Sequence, residues 1–252
     1  MHDPTAIIIP DAFFLYMFGI STFCLHDQPL SLALERIAAI SDFIEVMDEG
    51  LHYLEDAGSL ESYSGKFTIH APCRGTNIAS LLEPVRRASV EVTGQCFAIA
   101  AEANAGVVVH PGYFAWVEER EKAENQCRKS IAELKCLSGE YGVPFYMENM
   151  GDWEYFLLKT PGELPLIGDV GFALDVGHAH QNHCLEGFLS VPISHFHLHD
   201  NDGKTDAHAT VGDGTLDFAP VMKIIKKTGI RPVIEVATYD GVLKSIERLM
   251  AI

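Results

Sequence analysis

The chain has 252 residues, 48% of them apolar and 21% charged, the balance of a soluble globular protein with room for a large core. Its 18 basic residues face 35 acidic ones, a net charge of −17 that makes nucleic acid an unlikely partner, since phosphate binding draws on Lys and Arg. No run reaches the roughly 20 apolar residues that span a bilayer, and the six cysteines form no CxxC pair, so free thiols in a reducing cytoplasm are expected.

The apolar stretch 12–20, AFFLYMFGI, has no Lys or Arg before it and follows Asp3 and Asp11, so it reads as a buried strand and not as a leader. Eight short apolar runs recur along the chain, separated by segments of helical period. The first strand covers 14–22, a helix 30–40, the second strand 43–48, and a short helix 51–57. The third strand, FTIHAP, covers 67–72, followed by a long amphipathic helix over 77–104 and a fourth strand at 107–111. A second long helix spans 115–141, with Gly142 as its stop. The fifth strand is 144–149, a helical segment 153–159, the sixth strand 171–176, and a short helix 183–189. The seventh strand is 195–199, a helix covers 218–227, the eighth strand is 232–236, and a last helix runs over 242–250. Strands alternating with helices imply right-handed βαβ units and a parallel sheet. Eight units at this length, with no G-x-G-x-x-G after the first strand, favour one (β/α)8 TIM barrel over 1–252.

Chemistry in such a barrel sits at the C-terminal ends of the strands. Those ends carry His70, His110, Glu148, Asp175 with His178, His197 and Glu235, and the loop after the seventh strand adds Asp206 and His208. Glu148 and Glu235 stand inside apolar runs, where an unpaired carboxylate is costly. His70 and His110 alone read equally as core or turn histidines, and Asp175-x-x-His178 as a helix-cap pair; jointly the nine residues read as one metal site. Imidazole plus carboxylate without thiolate suits zinc, manganese, iron or cobalt. Nine donors exceed one four-coordinate ion, so one to three divalent ions per chain are expected, with Glu148 able to bridge. His195, His197 and His199 share one strand face; His199 is assigned to the substrate side and His195, near the strand's start, to structure. The two tryptophans and eight tyrosines form no distinct aromatic patch.

The motifs His70-Ala71-Pro72, His110-Pro111-Gly112, Glu148-Asn149, Asp175-Val176-Gly177-His178, HLHDNDG at 197–203, Asp206-Ala207-His208, Gly212-Asp213-Gly214 and Glu235 together resemble the xylose isomerase-like TIM-barrel superfamily, which also contains endonuclease IV (AP endonuclease family 2). The resemblance implies that Glu148, Asp175, His197 and Glu235 form the metal core shared with sugar epimerases. It also implies that His70, His110, His178, Asp206 and His208 complete the trinuclear zinc set of the endonuclease branch. The chain departs from both branches. The loop 72–77, PCRGTN, offers no aromatic or large apolar wedge for a duplex. Beyond the seventh strand, Lys204 is the nearest cation where ketose epimerases carry an Arg.

The leading expectation is an isomerase or epimerase of a small sugar or sugar phosphate, with an ion chelating substrate oxygens and stabilising an enediolate. Glu148 and Glu235 act there as acid and base through their free oxygens, His178 orients a hydroxyl, and Arg74 or Lys204 meets a phosphate or carboxylate. The alternatives are a three-metal phosphoester hydrolase and a metal-binding barrel without catalysis. Nothing in the sequence specifies self-association.

Overall fold

The computed structural model describes residues 17–252. Eight parallel strands close on themselves in sequence order, the barrel expected from the alternating pattern. They are β1 Gly19–Ser21, β2 Phe43–Met47, β3 Lys66–His70, β4 Gly106–Val109, β5 Phe145–Glu148, β6 Gly171–Asp175, β7 His195–Leu198 and β8 Val233–Ile234. Of the first expected strand, 14–16 lie outside the described residues. No described helix is long and apolar enough to cross a membrane, and all six cysteines are free thiols.

The helices are α1 Leu30–Ala38, α2 Gly58–Glu61, α3 Glu83–Glu102, α4 Arg120–Tyr141, α5 Val176–Gln181, α6 Leu185–Leu189, α7 Ala219–Thr228 and α8 Tyr239–Met250. Each long one lays an apolar stripe on the barrel: α1 buries Leu30, Ala33, Leu34 and Ile37, and α8 buries Val242, Ile246 and Leu249. Gly142 ends α4 at φ 68°, the left-handed turn its sequence position implied.

Four segments differ from the expected pattern. Instead of a helix at 51–57 there is a 3-10 turn, Gly50–His52, with α2 following later. Asp48 accepts the Leu54 N–H and Asp56 the Gly58 N–H, bonds that compete with a continuous helix. The helix expected from 77 begins only at Glu83, because Pro84 is tolerated in a first turn and not in an interior. Asn77 instead ties loops together, accepting from Ala79 and Tyr113 and donating to the Tyr113 carbonyl. The helix expected from 115 opens as a 3-10 turn, Val117–Glu119, before α4. Residues 153–159 are not helical; Phe156 bridges to Tyr113, and Leu157 donates to the Gly112 carbonyl, so this segment packs on the loop after β4. An unanticipated 3-10 helix, Pro161–Leu166, follows it.

The loop after β7 is built around one buried carboxylate. Asp200 accepts N–H groups from Asn201 and Leu216 on one oxygen, and from Gly212 and Gly214 on the other. Its backbone also pairs with Ala209 in both directions, which fixes the chain that carries Asp206 and His208. Asparagine offers one acceptor oxygen in place of two. Unpaired buried donors cost about 1–3 kcal/mol each, so Asp200→Asn is expected to lower unfolding stability by about 3 kcal/mol in urea titration. An unchanged midpoint contradicts this role for Asp200.

Candidate metal centre

Parallel register brings the donors into one layer. His70 pairs with Met47 on one side and Val108 on the other; Asp175 lies beside His197, and His197 beside Val233, two residues before Glu235. Asp175 both ends β6 and caps α5, accepting the His178 N–H at 2.7 Å. The pair forms a helix cap, which places His178 one turn above Asp175. Gly177 between them backs onto the His199 ring so closely that any Cβ there collides with it.

The donors fall into three adjoining groups. In the central one, Glu148, Asp175, His197 and Glu235 offer ligand atoms all within 4.8 Å of one another. His197 Nδ1 lies 3.1 Å from Glu148 Oε1, 3.1 Å from Glu235 Oε2 and 3.9 Å from Asp175 Oδ2. In the second, His70 Nε2 and His110 Nε2 lie 3.1 and 3.0 Å from Glu148 Oε2. Glu148 thus turns one oxygen to each group. In the third, Asp206 Oδ2 lies 3.2 Å from His178 Nε2 and 3.5 Å from His208 Nε2. His199 joins this third group, its Nε2 3.0 Å from Asp175 Oδ1 and its ring stacked on His208 at 4.0 Å.

Hydrogen bonds orient the imidazoles. His70, His178 and His208 donate Nδ1–H to the carbonyls of Ala71, Asn149 and Glu235 at 3.0, 2.9 and 2.9 Å. A carbonyl only accepts, so each Nδ1 carries a proton, and in a neutral ring Nε2 is a lone pair. Those lone pairs face carboxylate oxygens near 3 Å, which is repulsive unless a second proton or a cation lies between. Asp175 Oδ2 and His199 Nε2 are buried with no hydrogen-bond partner, as a ligand atom awaiting a cation is. Imidazole, carboxylate and these unpartnered atoms fit divalent metal.

Without metal, protons take that place. Burial opposes the charge of His70 and His208, but Glu148 beside the first and Asp206 beside the second raise both to about 9. Against the same burial penalty, Asp175 and Asp206 lift His178, and Glu45 and Glu235 lift His197, well above the usual imidazole range. Burial also disfavours ionised Glu148 and Asp175, yet His197 and His110 hold the first, and His178 and His199 the second, below the ordinary carboxylate range. Burial wins at His110, which is pushed down.

Two residues escaped the sequence reading. Glu45, fully buried on β2, lies 2.9 Å from His195 Nε2 and 2.7 Å from His197 Nε2, and so turns His197 Nδ1 toward the other carboxylates. Its signal was available: an acid inside the apolar run FIEVM, the same argument that singled out Glu148 and Glu235. Cys73, after β3, lines the cavity over the donors. His195 takes the structural place expected of it, between Glu45 and the Tyr146 ring. Arg74 stands exposed at the cavity mouth, 3.8 Å from Glu49. The structure does not bring Lys204 in; it is exposed, its backbone N–H donating to Asp202, and it is not part of the cavity wall.

The cavity above the donors holds about 590 Å³. Phe23, Met47, Tyr113, Met150, Trp153 and Phe156 make its apolar wall. Trp153 lies 5.4 Å from the Tyr113 ring and 4.9 Å from Phe156, an aromatic patch the sequence reading did not anticipate because the partners are distant in the chain. A larger cavity of about 700 Å³ opens at the opposite end of the barrel, lined by Lys66, Tyr146, His195 and Arg231, and touches none of the expected metal ligands.

A closed parallel barrel with carboxylates and imidazoles gathered at its C-terminal end defines a class, and the chain belongs to it: the xylose isomerase-like TIM barrel family matches residues 35–251. It is 31% identical to uncharacterized protein MJ1614 of Methanocaldococcus jannaschii, over 81% of this chain and 89% of that one. It is 28% identical to a probable endonuclease 4 of Mycobacterium leprae (strain Br4923), over 72% of this chain and 77% of the relative. Among solved structures, a D-tagatose 3-epimerase-like protein superposes with a TM-score of 0.85 at 28% identity, covering 93% of this chain and 96% of that one.

The raised imidazoles set a pH dependence for metal-free protein. A folded value of about 9 against the ordinary 6.5 means His70 and His208 contribute stability that is complete below 6.5 and lost as pH rises through 9. The melting temperature of metal-free protein is therefore expected to fall between pH 6.5 and 9, and that of zinc-loaded protein to hold or rise, because metal replaces the protons. A metal-free melting temperature that climbs over this window contradicts the assignment.

Proposed function

We propose that this protein is a metal-dependent phosphoester hydrolase acting on a small substrate, with up to three divalent ions held by its nine acidic and imidazole donors. The observation that carries the reading is the placement of Glu148, whose two oxygens are each committed to a different donor group. A carboxylate so placed would serve two ions at once, leaving no free oxygen with which to move a substrate proton.

Glu148, Asp175, His197 and Glu235 would hold one ion, His70 and His110 with Glu148 a second, and His178, Asp206 and His208 a third. Bound divalent metal supplies Lewis acidity, acidifying water and neutralising phosphoryl charge. Charge balance decides which substrate such a set suits. One divalent ion among Glu45, Glu148, Asp175, Asp206 and Glu235 leaves the site negative and suited to a neutral sugar. Three ions cancel or exceed that negative charge, which suits a phosphate.

The rest of the cavity makes its own contributions. Arg74 stands where an outer phosphate oxygen would enter, and the wall of Tyr113, Trp153 and Phe156 excludes water and packs on the organic part of the substrate. A cavity of about 590 Å³ is scaled to a small molecule, and the net charge of −17 opposes a polyanion.

The second reading, a sugar or sugar-phosphate isomerase or epimerase, is favoured by a specific observation of its own: Glu148, Asp175, His197 and Glu235 by themselves make a complete four-donor set. The likeness to the D-tagatose 3-epimerase-like protein supports it. In that reading Glu235, with one oxygen turned away from His197, moves the proton.

Zinc-loaded protein is expected to release phosphate or alcohol from small phosphomonoesters or phosphodiesters, and His110→Ala and His208→Ala to lower turnover about 100-fold or more. The same protein, incubated with ketoses and their phosphates in deuterated water, is expected to place no deuterium on carbon. Deuterium uptake abolished by Glu235→Gln, without phosphoester cleavage, favours the isomerase reading instead, and nicking of abasic duplex extends the hydrolase reading to DNA.

A further inference from the structure

We propose that Cys73 is a fourth protein ligand of the ion held by His70, His110 and Glu148, giving that ion a closed shell of sulfur, nitrogen and oxygen. The inference rests on the metal reading above and deepens it, because it separates one ion of the set from the others. Its ground is a cluster: Cys73 Sγ and one ring nitrogen each of His70 and His110 lie within 4.8 Å of one another. Both imidazoles also meet Glu148 Oε2, at 3.1 and 3.0 Å, so the group formed by Cys73 and the two histidines adjoins the carboxylate that would complete the ion's shell.

The backbone around Cys73 is held in this position. Glu49 Oε1 accepts the N–H groups of both Cys73 and Arg74, at 2.5 and 2.7 Å, and Thr76 Oγ1 donates to the Pro72 carbonyl at 2.5 Å. The loop is thereby pinned to Glu49, two residues beyond β2, and Cys73 lines the cavity. Two of the other thiols are hydrogen-bonded: Cys96 donates to Asp48, and Cys184 donates to the carbonyls of Lys159 and Ala179. Cys73 makes no such bond among the described residues.

A thiolate changes what this ion does. As the sulfur–metal bond forms, the thiol proton leaves to solvent. Four protein ligands leave no open position, which is the character of a structural ion, whereas catalytic ions keep a position for water or substrate. Substrate chemistry then falls to the ions of the Asp175–Glu235 and His178–His208 groups. Sulfur also makes this position selective for zinc or cobalt over magnesium or manganese.

Cobalt(II) titrated into metal-free full-length protein tests this directly. Wild type is expected to develop a thiolate-to-cobalt charge-transfer band in the near ultraviolet. Cys73→Ser and Cys73→Asp are expected to lose the band, with Cys73→Asp still binding cobalt and Cys184→Ser keeping the band. In wild type, zinc is expected to slow alkylation of Cys73 by iodoacetamide at least 10-fold, read peptide by peptide. Cobalt bound without a sulfur band, or a band that survives both Cys73 variants, overturns the Cys73 assignment and leaves the metal reading standing. Failure to bind cobalt at all overturns both.

Discussion

Glu148, Asp175 and Glu235 are buried together at one end of a barrel, with Glu45 buried on the far side of the His197 ring, and carboxylates buried this closely demand positive charge among them. The surrounding side chains can supply it only as protonated imidazoles or as ligands to metal. Their orientation favours the second. Three rings are held by backbone carbonyls with Nε2 turned inward, and other inward atoms have no hydrogen-bond partner. A protein that needed only ion pairs would be better served by fewer buried charges, since an apolar core of the same volume is commonly as stable or more so.

The fold meets that demand by delivering one or two donors from each of several strand ends and fixing each from behind. Glu45 sets the ring of His197, Asn149 positions Asp175 and His178 at once, and Asp200 organises the loop that carries Asp206 and His208. Asn149 follows the strand next to the one that ends at Asp175, Asp200 stands in the adjoining loop, and Glu45 reaches His197 from a strand that does not pair with β7, so the geometry of the site is a property of the closed barrel and not of any one segment. The cavity above the donors holds about 590 Å³.

Much of this was legible in the sequence. The strand and helix alternation placed all eight strands, and reading strand ends for donors recovered the residues the barrel brings together. What was not legible depended on contacts between distant segments. The stretches at 51–57 and 153–159 carry plausible helical patterns, but Asp48, Asp56 and the loop after β4 take their backbone amides. The Tyr113–Trp153–Phe156 patch exists only because those loops meet. Lys204 shows the converse error: closeness in sequence to the seventh strand did not bring it to the cavity. Glu45 carries the same signal as Glu148 and Glu235, an acid inside an apolar run, but it stands in the middle of β2 and not at a strand end.

Whether the donors act as one core or as three adjoining sites is the claim on which substrate charge, the bridging of Glu148 and the role of the outer histidines all depend. Elemental analysis of untagged protein, dialysed against a weak chelator after loading with zinc, measures it most directly. About three tightly held ions per chain is the result this account predicts. About one ion per chain, unchanged in His110→Ala and His208→Ala variants, would contradict it and leave a single-ion centre suited to neutral sugars.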